Sequence, residues 1–342
     1  MRAITVSPLT PNSLDLTDLP EPEPGPGDLL VDGLALGVCG TDREIIAGEY
    51  GFAGPRMVIG HESLGRVRSA PPDSGFAAGD LVVGVVRRPD PVPCGACAHG
   101  EFDMCRNGEY TERGIKGLDG YGAEQWTVEP AYAVKLDPGL AEVGVLMEPA
   151  SVVAKAWEQV ERVGGRAWFE PRTVLVTGAG PIGLLAALLG AQRGLEVHVL
   201  DRATEGAKPA AVRALGATYH SEPPDLHTDI VIEATGAPTL VLDAIAETAS
   251  YGVTVLTGVS SAGRRVDVDL GAANRSIVLE NDAVVGSVNA NLRHWALAAE
   301  ALARADNDWL NRLITRRVPL ESFADAFTAG PDDVKVVITL DG

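Results

Sequence analysis

Lysine is nearly absent from this chain, with Lys116, Lys135, Lys155, Lys208 and Lys335 the five copies in 342 residues. Against 28 Lys and Arg stand 47 Asp and Glu, a formal net charge of −19. Such a deficit of positive charge argues against nucleic acid, whose phosphates are held by Lys and Arg. A solvated acidic surface is the expectation. Long apolar runs are missing too. The longest belongs to the helix after Gly183 and is far short of the roughly 20 residues of a spanning helix. Met1 to Leu9 shows no charged-then-apolar leader, so no membrane partner and a cytoplasmic location are expected. Four cysteines are too few for a disulfide scaffold in a chain this long. Three of them, Cys94, Cys97 and Cys105, cluster, which reads as metal rather than disulfide. No internal repeat or low-complexity tract stands out.

What is present is an ordinary apolar fraction of 46% and enough length for about two domains. The most informative stretch runs from Thr173 to Asp201. Thr173–Thr177 reads as a strand buried on both faces. Gly178-Ala-Gly180-Pro181-Ile182-Gly183 is a G-x-G-x-x-G turn opening a helix of good formers, Leu184 to Gln192. Gly194 stops that helix, Glu196–Leu200 is a second buried strand, and Asp201 ends it. Gly178 permits the tight turn, Gly180 lets backbone approach a pyrophosphate, and Gly183 lets helix and strand pack closely. The free N–H groups of the helix start receive phosphate charge. Asp201, 18 residues after Gly183, is placed for the ribose hydroxyls. This favours NAD, although Arg202 beside it suits the extra phosphate of NADP.

The first half has a different rhythm. Short strands near Arg2–Val6, Asp28–Cys39 and Gly79–Val86 alternate with Gly- and Pro-rich connections, which points to an all-β, barrel-like unit. Beyond Asp201, helices at Lys208–Leu215 and Leu240–Ser250 alternate with strands at Asp229–Glu233, Gly252–Gly258 and Val284–Val288. That is the rhythm of a doubly wound parallel sheet. Helices at Leu292–Ala303 and Trp309–Thr315 and a closing strand at Val334–Leu340 complete the chain.

The order Cys39-Gly-Thr41-Asp42, Gly60-His61-Glu62, Gly79-Asp80, the cysteine cluster and then the glycine-rich turn resembles the zinc-dependent medium-chain dehydrogenases along essentially the whole chain. Within them it is most similar to the glucose 1-dehydrogenases known from archaea. Val85–Pro89, Glu112–Ile115, Leu118–Tyr121, Met147–Pro149 and Gly286–Asn291 carry that narrower match. The resemblance implies a fold of α/β plus β class. A GroES-like β-barrel-type catalytic domain (1–151, returning at 290–342) holds an inserted Rossmann domain with a doubly wound parallel sheet (152–289).

It further implies a catalytic zinc on Cys39 and His61, with Glu62 a ligand or near neighbour and Glu148 the later acid approaching the metal. A catalytic zinc keeps three protein ligands and an open position. Thr41 would bond the substrate hydroxyl and relay its proton, and Asp42 would orient His61 from behind. Glu148-Pro149 also suits the start of the helix Ser151–Arg162. Thr235, Gly258 and Asn289 are implied at the cofactor. Glu112 and Asn289 are implied at sugar hydroxyls, with an arginine pairing the other reading of Glu112.

Two departures from the family pattern stand out. The spacing of Cys94, Cys97 and Cys105 is that of a structural zinc lobe whose first cysteine would fall at Pro91, so Asp90 or His99 is the candidate fourth ligand. Glu44 stands five residues after Cys39, where many relatives end the proton relay with His. The expected reaction is oxidation of an aldose such as D-glucose at C1 to its lactone, with hydride transfer to NAD(P). The expected assembly is a homo-oligomer, dimer or tetramer. The rivals are another zinc alcohol or polyol dehydrogenase, and a nucleotide-binding redox sensor with a vestigial zinc site.

Overall fold

The computed structural model describes residues 1–246, 248–260 and 265–340. The chain divides into two units, Met1–Glu148 with Ala290–Gly342, and Pro149–Asn289.

The first unit is built on a mixed sheet of seven strands among the described residues. Its long strand Leu29–Val38 pairs antiparallel with Glu62–Ser69 on one side and with Lys335–Thr339 on the other. The alternation of buried and half-buried positions along Leu29–Val38 is the period-2 pattern of a strand with one face in the core. Pairing Val38 with Val336 brings the last strand of the chain beside the residue that precedes Cys39. Ile314–Pro319 joins as a strand parallel to Lys335–Thr339. Trp295 and Trp309, on the helices Leu292–Ala303 and Asn307–Leu313, are buried.

Among the described residues, the second unit holds a six-stranded, all-parallel sheet. Its spatial order is Thr218–His220, Glu196–Leu200, Thr173–Thr177, Thr228–Glu233, Thr248–Leu256 and Ala283–Gly286, the doubly wound order of dinucleotide-binding sheets. Val174, Val176, Ile230, Ile232, Val253 and Val255 are fully buried, as strands covered on both faces require.

The sequence reading needs correction in four places. The helix expected over Leu240–Ser250 spans Pro238–Ala246, and Thr248 already belongs to the next strand, paired with Thr228. Glu247, within that expected helix, lies outside the described residues. Leu270–Glu280 is a helix that drew no prediction. Thr218–His220 is an added edge strand. The helix expected over Trp309–Thr315 spans Asn307–Leu313 and gives way to the strand Ile314–Pro319. Among the described residues no helix is long and apolar enough to cross a membrane.

Candidate active site and metal centre

Cys39 leaves the strand Leu29–Val38 in extended conformation and becomes the N-cap of the helix Gly40–Ala47. Asp42, three residues on, turns its carboxylate back, and Oδ2 accepts the Cys39 N–H at 2.9 Å. His61 follows Gly60, whose φ of 94° is left-handed and whose missing side chain leaves room for Leu36. The turn aims the imidazole at the thiol, with Cys39 Sγ and His61 Nε2 3.1 Å apart. Glu62 opens the next strand opposite Gly37, and a Cβ on Gly37 would collide with the Glu62 carboxylate. Ligand atoms of Cys39, His61 and Glu62 all lie within 4.8 Å of one another.

The donor chemistry fits zinc. Thiolate and imidazole are its preferred ligands, and three such groups leave room for a fourth. Burial, reinforced by the Asp42 charge, pushes the Cys39 thiol up. Burial would lower the His61 imidazole, but the Cys39 and Asp42 charges outweigh it and push it well above its ordinary value. The cluster therefore calls for positive charge. His61 Nδ1 and Asp42 Oδ1 are 3.4 Å apart, too poorly aligned for a hydrogen bond, and neither has another partner among the described residues. A metal on Nε2 makes Nδ1 an N–H donor with Asp42 as acceptor.

Both Glu62 oxygens meet Lys335 Nζ, at 2.7 and 2.5 Å, in a pair shut away from solvent. Glu148 lies in the first turn of the helix Met147–Gly164 and keeps part of its surface open. Desolvation, with Glu62 and Asp42 adding to it against His61 and Lys335, pushes its carboxyl up to about 7. Thr41, in the first turn of the helix capped by Cys39, is half-buried. Glu44 of the same helix is exposed. Glu112 is buried and accepts from Arg87 Nε at 2.9 Å, so an arginine holds it, in a pair away from the surface. The Arg87 guanidinium also stacks on Tyr110, 3.7 Å from the ring centre.

The structure also gathers the sulfur atoms of Cys94, Cys97 and Cys105 within 4.8 Å. Backbone N–H groups of Arg106 and Cys97 bring Cys94 down to about 6, and burial raises Cys97 to about 11. Asp90 is buried with Oδ2 4.0 Å from Cys105 Sγ. His99 is exposed, its Nδ1 2.7 Å from the Gly95 carbonyl. Asp90 thus places a carboxylate oxygen beside one of the three sulfurs.

In the second unit Gly178 has a φ of 94°, and a Cβ on Gly183 would run into the Gly178 carbonyl. Gly180 faces open space, with no atom within 4 Å of a Cβ placed there. Pro181 begins the helix that Gly180 caps, three residues earlier than the sequence suggested, and Ile182 follows half-buried. Asp201 Oδ2 accepts the Ala179 N–H at 2.8 Å and Oδ1 the Ala203 N–H at 3.1 Å, with Lys208 Nζ at 3.3 Å. A groove of about 500 Å³ is lined by Gly178, Gly180, Asp201, Arg202, Lys208 and Thr235, among others. Gly258 has no room for a side chain, since a Cβ would meet Gly236 and Glu233. Asn289 is left-handed with φ 61°, and the carbonyl of the preceding Val288 accepts from buried Lys155 at 2.8 Å.

Two acids and a base escaped the sequence reading. Buried Glu233 gathers the Thr235 and Gly236 N–H groups and the Thr235 hydroxyl, shaping the loop beside the groove. Asp103 accepts from Asn291 at 2.8 Å. Lys335 left one trace, a lysine opening a strand that is otherwise Val, Ile and Thr.

A parallel dinucleotide sheet in one unit and a Cys–His–Glu cluster at a strand end of a β unit define the zinc-type medium-chain dehydrogenases. The chain matches the family descriptions Alcohol dehydrogenase GroES-like domain over residues 25–138 and Glucose dehydrogenase C-terminus over residues 141–340. It is 43% identical to the glucose 1-dehydrogenase of Thermoproteus tenax and 39% identical to that of Methanocella arvoryzae, covering 99% of each chain in both cases. A solved structure of Haloferax mediterranei glucose dehydrogenase, in complex with NADP, Zn and gluconolactone, superposes with a TM-score of 0.91 at 33% identity over all of both chains. The chain belongs to the glucose dehydrogenase branch of this zinc-type family.

Proposed function

We propose that this protein is a zinc- and NAD(P)-dependent sugar dehydrogenase that oxidises an aldose such as D-glucose at C1 to its lactone. The observation that carries the reading is the cluster of Cys39, His61 and Glu62, in a chain whose second unit holds a glycine-lined dinucleotide groove. The lactone, NADP and Zn of the Haloferax relative support it.

Cys39 and His61 would hold the zinc, with Glu62 and Glu148 the nearby acids. Bound there, zinc supplies the Lewis acidity that makes an alcohol proton easier to lose. Asp42 fixes the imidazole and the backbone of Cys39 together. Thr41, half-buried, would bond the C1 hydroxyl and pass its proton to water. A bound NAD(P) would supply the acceptor for the C1 hydride, which leaves the carbonyl of the lactone. Glu112, fixed by Arg87, accepts from sugar hydroxyls; a site built to bond hydroxyls rejects ligands that lack them. In the other unit, Gly180 and the helix start at Pro181 take the pyrophosphate. Asp201 takes the ribose diol of NAD, while Arg202 and Lys208 offer cations to NADP. The lobe of Cys94, Cys97 and Cys105 would hold the second, structural zinc.

A homo-oligomer belongs to the same reading. The edge strand Ala283–Gly286 is open on one side, and Val278, Leu279 and Val288 around it are 60–64% exposed. The location proposed is cytoplasmic, with no nucleic acid or membrane partner.

The test is a panel of D-glucose, D-galactose, D-xylose, sorbitol and simple alcohols, each with NAD and with NADP. An aldose is expected to be fastest, with a lactone as product. Turnover confined to secondary hydroxyls of polyols, or none with any substrate, would overturn the assignment.

A further inference from the structure

Lys335 is 1% exposed, on a strand that begins 273 residues after Glu62, and it meets that acid two-handed. An ammonium has three donors. Here Glu62 Oε1 takes one at 2.7 Å, Glu62 Oε2 another at 2.5 Å, and the Val38 carbonyl the third at 3.3 Å. Val38 immediately precedes Cys39, so one cation references the Glu62 carboxylate to the backbone that carries the thiolate. Gly37 contributes from the other side, because the carboxylate occupies the space a side chain there would fill. Glu62 thus stands within 4.8 Å of the Cys39 and His61 ligand atoms with both oxygens engaged elsewhere.

We propose that Lys335 is a positioning residue that holds Glu62 back from the metal, keeping a coordination place open for the sugar hydroxyl. The inference rests on Cys39 and His61 being the metal's ligands. With Cys39, His61 and the later acid Glu148 as the three protein ligands, a free Glu62 carboxylate would be a fourth and close the coordination shell, as in structural zinc sites, whereas a catalytic zinc needs one place open. An ammonium that grips both oxygens and the Val38 carbonyl at once fixes the direction of the carboxylate and so prevents that closure. A lysine serving merely as counter-ion to a buried acid would stabilise the fold, and its removal would not tighten metal binding.

The experiment measures metal affinity by chelator competition in the full-length protein loaded with Zn²⁺ or Co²⁺. The Cys39-dependent site is identified by its loss in Cys39→Ala. In Lys335→Met, affinity at that site is expected to rise at least about tenfold while kcat falls, because Glu62 becomes a ligand. The gain in affinity is expected to vanish in the double variant Lys335→Met/Glu62→Gln. Lys335→Arg, which can still grip both oxygens, is expected to behave as the native protein. Unchanged or weaker affinity in folded Lys335→Met would overturn the proposal. Should Lys335→Met fail to fold, Glu62→Gln decides. Affinity within about threefold of native is expected for a carboxylate held off the metal, and a loss of tenfold or more would show it to be a ligand already. These affinities read Lys335 even if no sugar proves to be a substrate, so the two proposals fail separately.

Discussion

Asp42 Oδ1 stands 3.4 Å from His61 Nδ1 while the other oxygen of the same carboxylate caps the Cys39 N–H at 2.9 Å. One side chain therefore sets the direction of the imidazole and the start of the helix from which the thiol projects. Asp42→Ala should cost about 10–100-fold in zinc affinity, the usual price of losing a partner behind a ligand histidine. The lost cap adds about 1 kcal/mol of destabilisation. Chelator competition and a melting curve separate the two effects. Native metal affinity in the variant would show that His61 needs no support.

The two glycines of the turn should part company on mutation. Gly183→Ala drives a methyl into the Gly178 carbonyl and is expected to destabilise the second unit by about 3 kcal/mol. Gly180→Ala meets open space at φ −80° and should leave stability unchanged or raise it by about 0.5 kcal/mol. Its cofactor affinity should nevertheless fall at least about tenfold, since the methyl stands where a pyrophosphate must approach the backbone. Thermal melts and titration with NAD and NADP read both. Native affinity in Gly180→Ala would place the pyrophosphate elsewhere.

Asp201 makes a prediction in pH. Burial would raise its carboxyl, but the Ala179 and Ala203 N–H groups and Lys208 outweigh it and hold it below the ordinary carboxylate value. A depressed folded pKa stabilises fully above the unfolded value of about 3.9, and the contribution is lost as pH falls through the folded value. The stability gap between native protein and Asp201→Asn should therefore be constant above about pH 5 and shrink on acidification below pH 4. A gap that stays the same from pH 6 to pH 3 would contradict this role.

In the cysteine lobe, Asp90→Ala should lose one bound metal per chain and lower the melting temperature, while His99→Ala should do neither. Asp90 is buried beside Cys105, and His99 faces solvent. Metal content measured after dialysis decides. A full complement in Asp90→Ala would assign the fourth position to another group.

The turn from Gly178 to Gly183 was legible because each glycine answers a local demand that sequence spacing preserves. Cys39, Asp42, His61 and Glu62 could be named only through the family resemblance, because 22 residues separate Cys39 from His61 and no local spacing joins them. What could not be read were partnerships made by tertiary pairing alone. Lys335 reaches Glu62 only because the last strand pairs with Leu29–Val38. Glu112 finds Arg87 through a pairing of two short strands. Ala244-Ile-Ala-Glu-Thr-Ala looks helical by composition, yet Thr248 is drawn into the parallel sheet beside Thr228. Packing overrode propensity there, as β pairing commonly does.

The most direct measurement is on Cys39→Ala, comparing metal content, glucose-dependent reduction of NAD(P) and cofactor affinity with those of the native protein. The expected result is one metal fewer per chain, turnover abolished, and cofactor affinity within about twofold, because none of the residues lining the groove is a ligand of that metal. Sugar-dependent turnover by metal-free Cys39→Ala protein would contradict the account.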